Sequence, residues 1–205
     1  MLAATCRTRR AAVALITVAS PPALFIALGS ELWVRWAFGA EFAPAASSLR
    51  FLAPLFLVTY VNGLLSQTLI VRRRGWSLTA SSLAGVLANP AIAVFAVPLC
   101  LRALGDGGGG VGSALGMVGG ELVVCLSLLV RMPAGTVDRT VVSPLLRTLL
   151  TAAFTVALHV ALAPLGHLRL LLDAATYVTL GLILGALKPR EMYAMARELI
   201  SSRKG

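Results

Sequence analysis

Six apolar runs, each ended by charged residues, glycine or proline, divide the chain. They fall at residues 11–29, 49–71, 78–101, 111–130, 144–163 and 170–187. Each approaches or exceeds the ~20 residues that an α-helix needs to cross a hydrocarbon core of about 30 Å. A seventh segment differs in kind. Met192, Met195, Ala196 and Leu199 recur at helical spacing among Arg190, Glu191, Arg197, Glu198 and Arg203. That pattern predicts an amphipathic helix lying on a membrane surface. The expected fold is therefore all-α, a polytopic membrane helix bundle. Six transmembrane helices occupy residues 1–188, and a cytoplasmic amphipathic tail occupies residues 189–205.

Composition strengthens this expectation. The chain is 58% hydrophobic and 13% charged, with a mean hydropathy of +0.88. A soluble domain of 205 residues has too little interior to hide that much apolar surface. The net charge of +10 does not indicate nucleic acid, because the basic residues are confined to short segments between spans. They read as topology signals instead. Arg72, Arg73 and Arg74 lie between the second and third runs, and such a turn stays on the cytoplasmic side. With that turn inside, all of the 18 Lys and Arg residues except Arg35, Arg50, Arg102 and Arg169 fall in inner segments. Both termini are then cytoplasmic. Among bacterial compartments the expected location is the inner (plasma) membrane, because outer-membrane spanning proteins are normally barrels. The lipid bilayer is the first partner.

Local signals refine the spans. Arg7, Arg9 and Arg10 before an apolar core, with small residues at Ala19-Ser20, have the outline of a signal peptide. Leu24 to Leu28 continue the run to a full span, which favours a retained helix. Pro21-Pro22 predicts a kink within it. Residues 30–48 form an outer loop in which Trp33 and Trp36 serve as interfacial anchors and residues 31–38 form a short surface helix. Ser47 and Ser48 are candidate N-caps for the second span, and Ser143-Pro144 opens the fifth. Cys6, Cys100 and Cys125 offer neither a paired framework nor metal spacing. Two of them lie in or beside apolar runs, where they act as small hydrophobes.

No catalytic constellation, metal site or cofactor motif emerges, and the expected protein is not an enzyme. His159 and His167 have no cysteine or carboxylate at a spacing suited to zinc or nucleophilic chemistry, so a neighbour satisfying a lone histidine is the default. The tetraglycine at Gly107–Gly110 lacks the Lys-Ser/Thr ending of a phosphate loop. Asn89-Pro90-Ala91 invites comparison with the aquaporins. That fold needs two such triplets on half-helices, and this chain has one, inside a full-length span. Glu121 is the informative residue, at mid-depth in the fourth span. A carboxylate there costs several kcal/mol (about 2.5–3.5 on insertion scales), so it faces protein or water. Two readings stand: a contact in a central cavity, or a helix–helix lock. Asn62, Gln67 and Asn89 are the other polar residues at membrane depth, expected in interhelical hydrogen bonds or along a cavity. Gly112, Gly116 and Gly120 form a small-residue stripe that admits a close neighbouring helix.

Taken in order, these segments resemble a known family. Ala37-Phe38-Gly39-Ala40-Glu41-Phe42-Ala43-Pro44-Ala45-Ala46, followed by Leu49-Arg50-Phe51-Leu52, is similar to a loop and following helix of bacterial polysaccharide flippases. Those proteins belong to the multidrug/oligosaccharidyl-lipid/polysaccharide exporter superfamily. The basic turn at Arg72–Arg74, Asn89, the stretch Gly110-Val111-Gly112-Ser113-Ala114-Leu115-Gly116 and Gly120-Glu121-Leu122 continue the likeness. It covers most of Ala11 to Arg203 and rests on order and spacing. The resemblance implies two six-helix lobes that move a lipid-linked sugar substrate by alternating access. This chain looks like the C-terminal portion, so an N-terminal lobe or a second membrane subunit is the implied partner. No arginine lies deep in a span, so none is assigned to a lipid pyrophosphate. The alternative, from a different class, is a non-transporting membrane scaffold in a polysaccharide assembly complex.

Overall fold

In the computed structural model, residues 16–132, 139–185 and 187 are described. The expected amphipathic tail at 189–205 and the basic start with Arg7, Arg9 and Arg10 lie outside these residues. All regular structure among the described residues is helical. The helices are α1 (Ile16–Leu28), α2 (Ser30–Phe38), α3 (Ala45–Val71), α4 (Gly75–Leu104), α5 (Gly108–Arg131), α6 (Arg139–Ala161) and α7 (Arg169–Ile183). Three of them, α3, α4 and α5, are long and apolar enough to cross a membrane; counting the bent α1–α2 pair as one span makes four. Helices of this length and composition are those of a membrane protein. The fifth and sixth expected spans fall on α6 and α7. α7 has 15 residues, about 22 Å at ~1.5 Å per residue. It stops short of the expected end at Leu187 because Gly185 turns the chain with φ +67°.

The chain divides into two compact units, residues 19–136 and residues 1–18 with 137–205. In the first, α3, α4 and α5 run up, down and up. The α4–α5 contact is the closest. A Cβ at Gly112 would collide with Val97 Cα, one at Gly116 would lie 2.9 Å from Ala93 Cβ, and one at Gly120 would lie 2.9 Å from Asn89 Cβ. All three glycines are buried. The facing helix contributes Gly85, where a Cβ would meet Val124 Cγ2. The expected small-residue stripe is therefore a backbone-to-backbone seam in antiparallel register. In lipid, where apolar burial drives helix association little, such close packing is a principal source of adhesion.

α3 docks on α5 in parallel. Pro44 sits against Gly107, and Ser48 against Gly110. At the other end Leu65 and Leu69 of α3 pack with Leu128 of α5 in a small buried core, flanked by Leu78, Val124 and Met132. The Arg72–Arg74 turn joins α3 to α4. Arg73 adopts φ +57° there, a left-handed conformation that costs an L-residue roughly 1–2 kcal/mol. Arg74 N donates to Leu69 O at 2.9 Å, closing the carbonyls at the end of α3.

Two local expectations differ. The helix continues through Pro21-Pro22, and the chain instead bends by 72° at Gly29. Here Trp33 folds back, its Nε1 donating to Phe25 O at 3.3 Å and its indole edge-on to Phe25. A Cβ at Gly29 would lie 2.6 Å from that nitrogen, so glycine permits the bend. Nor do Ser47 and Ser48 cap α3. Pro44 precedes the first turn, Ser47 Oγ donates to Pro44 O at 2.7 Å, and Ser48 Oγ is buried without a partner. Proline, lacking an N–H, suits a position where that donor would be orphaned.

The seam predicts an asymmetry among glycines. Gly116→Leu is expected to force α4 and α5 apart, destabilising the protein by at least the ~1–3 kcal/mol typical of overpacking. Gly63→Ala, where a Cβ meets nothing within 4 Å, is expected to be neutral or slightly stabilising. Thermal unfolding of the two purified variants in one detergent checks this.

Candidate polar sites within the helices

The sequence-derived candidates converge in part. Asn62 on α3 is buried at 6% exposure and faces Glu121 on α5, which is half-buried. Asn62 Nδ2 donates to Glu121 Oε2 at 2.6 Å and to the Glu121 backbone oxygen at 2.9 Å. One amide thus fixes both the carboxylate and the helix that carries it. Asn62 Oδ1 is buried without a partner, an acceptor pointing into the same interior. Asn89 approaches from the α4 side. Its Oδ1 lies 3.0 Å from where a Gly116 Cβ would be, so its carboxamide lies on the glycine seam, one helical turn from Gly120. Asn89 forms no hydrogen bond with a described residue.

Gln67 does not join this group. It is exposed on α3 and forms no interhelical hydrogen bond with the described residues. Its place on the helix explains the divergence: Gln67 is rotated away from α5 because Leu65 and Leu69 occupy that face.

Near the Arg72–Arg74 turn, Arg131 closes the same three-helix unit. Its guanidinium donates to the fully buried Ser81 Oγ at 3.0 Å and to the Ser127 carbonyl and hydroxyl. Arg74 reaches the Arg131 carbonyl at 3.4 Å. At the opposite end Glu31 and Arg50 form an ion pair at 3.0 Å, with 58% and 49% of their side-chain surfaces exposed. Pairs this exposed contribute at most about 1 kcal/mol.

A second polar site lies in the other unit and was missed from sequence. His159 on α6 and Asp173 on α7 pair at 2.5 Å between Nδ1 and Oδ2, with 7% and 3% exposure. The expectation that a neighbour satisfies His159 is met, by a carboxylate that sequence spacing did not suggest. The side chain of His167 lies outside the described ones. Below His159 on α6 the buried face carries Thr155, Thr151 and, one residue off the line, Thr148. Thr155 and Thr151 donate to carbonyls one turn back, which leaves their oxygens as acceptors toward the interior. On α7 the buried positions are Leu170, Asp173, Tyr177 and Gly181. A carboxylate in an apolar helix, opposite a histidine in the preceding one, was the available signal.

Chemically, both sites can hold and orient charge or protons. Among the described residues no group of three or more His, Cys, Asp or Glu gathers at a metal-binding distance. No family model, no curated protein and no solved structure matches the chain.

The Asn62 bonds carry a stability prediction. Asn62→Leu leaves the Glu121 carboxylate without its donor and is expected to cost about 1–2 kcal/mol, the upper range for interhelical hydrogen bonds in membranes. Asn89→Ala, which removes no such bond, is expected to cost less. Thermal denaturation of both variants in the same detergent ranks them.

Proposed function

We propose that this chain is the C-terminal lobe of a transporter that moves lipid-linked oligosaccharide or polysaccharide intermediates across the bacterial inner membrane by alternating access. In this reading it crosses the bilayer six times with both termini in the cytoplasm. The observation that carries the reading is the Asn62–Glu121 pair. A carboxylate deep within a helix of membrane-spanning length is turned toward a polar neighbour instead of lipid, yet it stays half-open. That is what a side chain lining a solvated cavity does, and what a residue needed only for packing does less economically. The order of motifs from Ala37 to Leu122 supports the same reading.

Exposed Gln67 supports a partner. An amide on the outward face of a span is costly in hydrocarbon unless another chain or lobe supplies its hydrogen bonds. An N-terminal lobe or a second membrane subunit fits that requirement, with a lipid-linked sugar held between the two.

One observation favours the scaffold alternative. Asn62 grips both the Glu121 side chain and its backbone, beside the tightest helix contact in the unit. A lock of that kind serves packing without transport. Glu121→Gln separates the readings, because glutamine keeps a carbonyl oxygen for Asn62 and removes only the negative charge. For a transporter, the protein persists at its normal level while surface polysaccharide falls at least ~10-fold, the scale of losing about 1.4 kcal/mol of transition-state stabilisation, and lipid-linked intermediate accumulates. For a scaffold, export is normal whenever the protein level is normal. Immunoblotting together with quantification of cell-surface polysaccharide decides between them.

A further inference from the structure

The His159–Asp173 pair goes beyond the transporter reading and does not depend on it. Helices α6 and α7 are antiparallel, joined by a turn at residues 162–168. Two contacts fix their register. His159 meets Asp173, and a Cβ at Gly185 would lie 3.2 Å from an Arg147 guanidinium nitrogen. Counted from those two contacts, Thr155 is level with Tyr177 and Thr151 with Gly181, all of them buried, and Leu187 fills the open side of Gly181. On α6, Thr155 and Thr151 therefore continue from His159 as a buried line of polar side chains one helical turn apart.

The pair itself is unusual in three respects. Both partners are more than nine-tenths buried. Asp173 is the sole carboxylate among the described residues of this unit. Its second oxygen, Oδ1, is buried with no hydrogen-bond partner, as is Thr148 Oγ1. A permanently ionised lock would be expected to satisfy both carboxylate oxygens, because each unpaired buried acceptor is costly.

From this geometry we propose that His159 and Asp173 together form a reversible binding site for a single proton. With neutral imidazole and carboxylate the pair carries one net negative charge, and Nδ1–H donates to Oδ2. Adding one proton, on the imidazole or on the carboxyl, cancels that charge and keeps a hydrogen bond across the same contact. Loading and release therefore need no rearrangement of the helices. Among the described side chains of this unit, the other charged and titratable groups are three. Arg169 lies one turn before Asp173 on α7, Tyr177 one turn after it, and Arg147 three turns from His159 on α6. Residues 16–18 of α1, in the same unit, contribute none.

The test reads the proton directly. The full chain is purified with imidazole nitrogen and aspartate carboxyl carbon labels, in a His167→Gln background that leaves His159 as the lone histidine. Its resonances are followed against pH by NMR, with circular dichroism confirming constant helix content. The expected result is one reversible transition in which the His159 and Asp173 signals move together with a shared midpoint. Asp173→Asn is expected to displace the His159 midpoint by about one pH unit or more, a tenfold change in proton affinity. The proposal fails if neither signal moves before the helices melt, or if the two titrate independently. It also fails if Asp173→Asn leaves the midpoint in place. Should that variant not fold, the joint transition in the unsubstituted pair decides alone. No transport is needed for this readout, so its failure leaves the transporter reading untouched.

Discussion

The α4–α5 seam is the contact on which the three-helix unit depends. In hydrocarbon, apolar side chains gain little by leaving lipid for one another, and close backbone approach must supply the adhesion. Gly85, Gly112, Gly116 and Gly120 provide it by presenting no side chain of their own, so the backbone and short side chains of the facing helix come into direct contact. The same contact orients the next residue of α5. Because Gly120 touches α4, its neighbour Glu121 is rotated off that seam toward α3, where Asn62 meets it. The packing constraint thus also positions the carboxylate at the depth of the seam.

Polar side chains within the helices are handled in different ways. Asn62 donates to the Glu121 carboxylate and backbone across two helices, while its own Oδ1 stays unpartnered. Ser81, Ser127 and Arg131 knit the end of α5 to the start of α4. The threonines of α6 donate to their own backbone, a local solution that needs no second helix. His159 and Asp173 pair with each other but leave one oxygen unmatched. Gln67 is left to the outside. Groups that close upon themselves stabilise the helices; those left incomplete are where a proton, a substrate or another chain can act.

How much of this was legible in the sequence depended on what kind of signal each feature leaves. α3, α4 and α5 lie within a few residues of their expected bounds, because arginine and glycine clusters punctuate them at Arg72–Arg74 and Gly105–Gly110. The short helix after Ser30 was visible from its tryptophans. Its 72° junction with α1 was not: proline at 21 and 22 carried the stronger kink signal, whereas the bend depends on Trp33 folding over Gly29, a contact between turns. The glycine stripe and Glu121 could be read directly, since their spacing and burial cost are properties of one helix. The bond from Asn62 and the outward turn of Gln67 depend on which face of α3 meets α5, and a near-uniformly apolar helix does not reveal that face. Asp173 was overlooked for the same reason. Its link to His159 depends on the register of a hairpin, set by the 162–168 turn and by small residues far along α7.

If the α1–α2 pair, α3, α4 and α5 cross a bilayer in alternating directions, with α6 and α7 completing six crossings, each turn has a fixed side. Mapping those sides is the most direct measurement. Single cysteines in a chain whose Cys6, Cys100 and Cys125 are replaced by alanine would be placed at residue 73, at residue 106, within 133–138 and at residue 166. Labelling intact cells with a membrane-impermeant thiol reagent then reports exposure. Reaction is predicted at 106 and 166, with none at 73 or within 133–138 until the cells are opened. Labelling of residue 73 in intact cells, or protection of residue 166 alongside it, would contradict the topology and the transporter reading built on it.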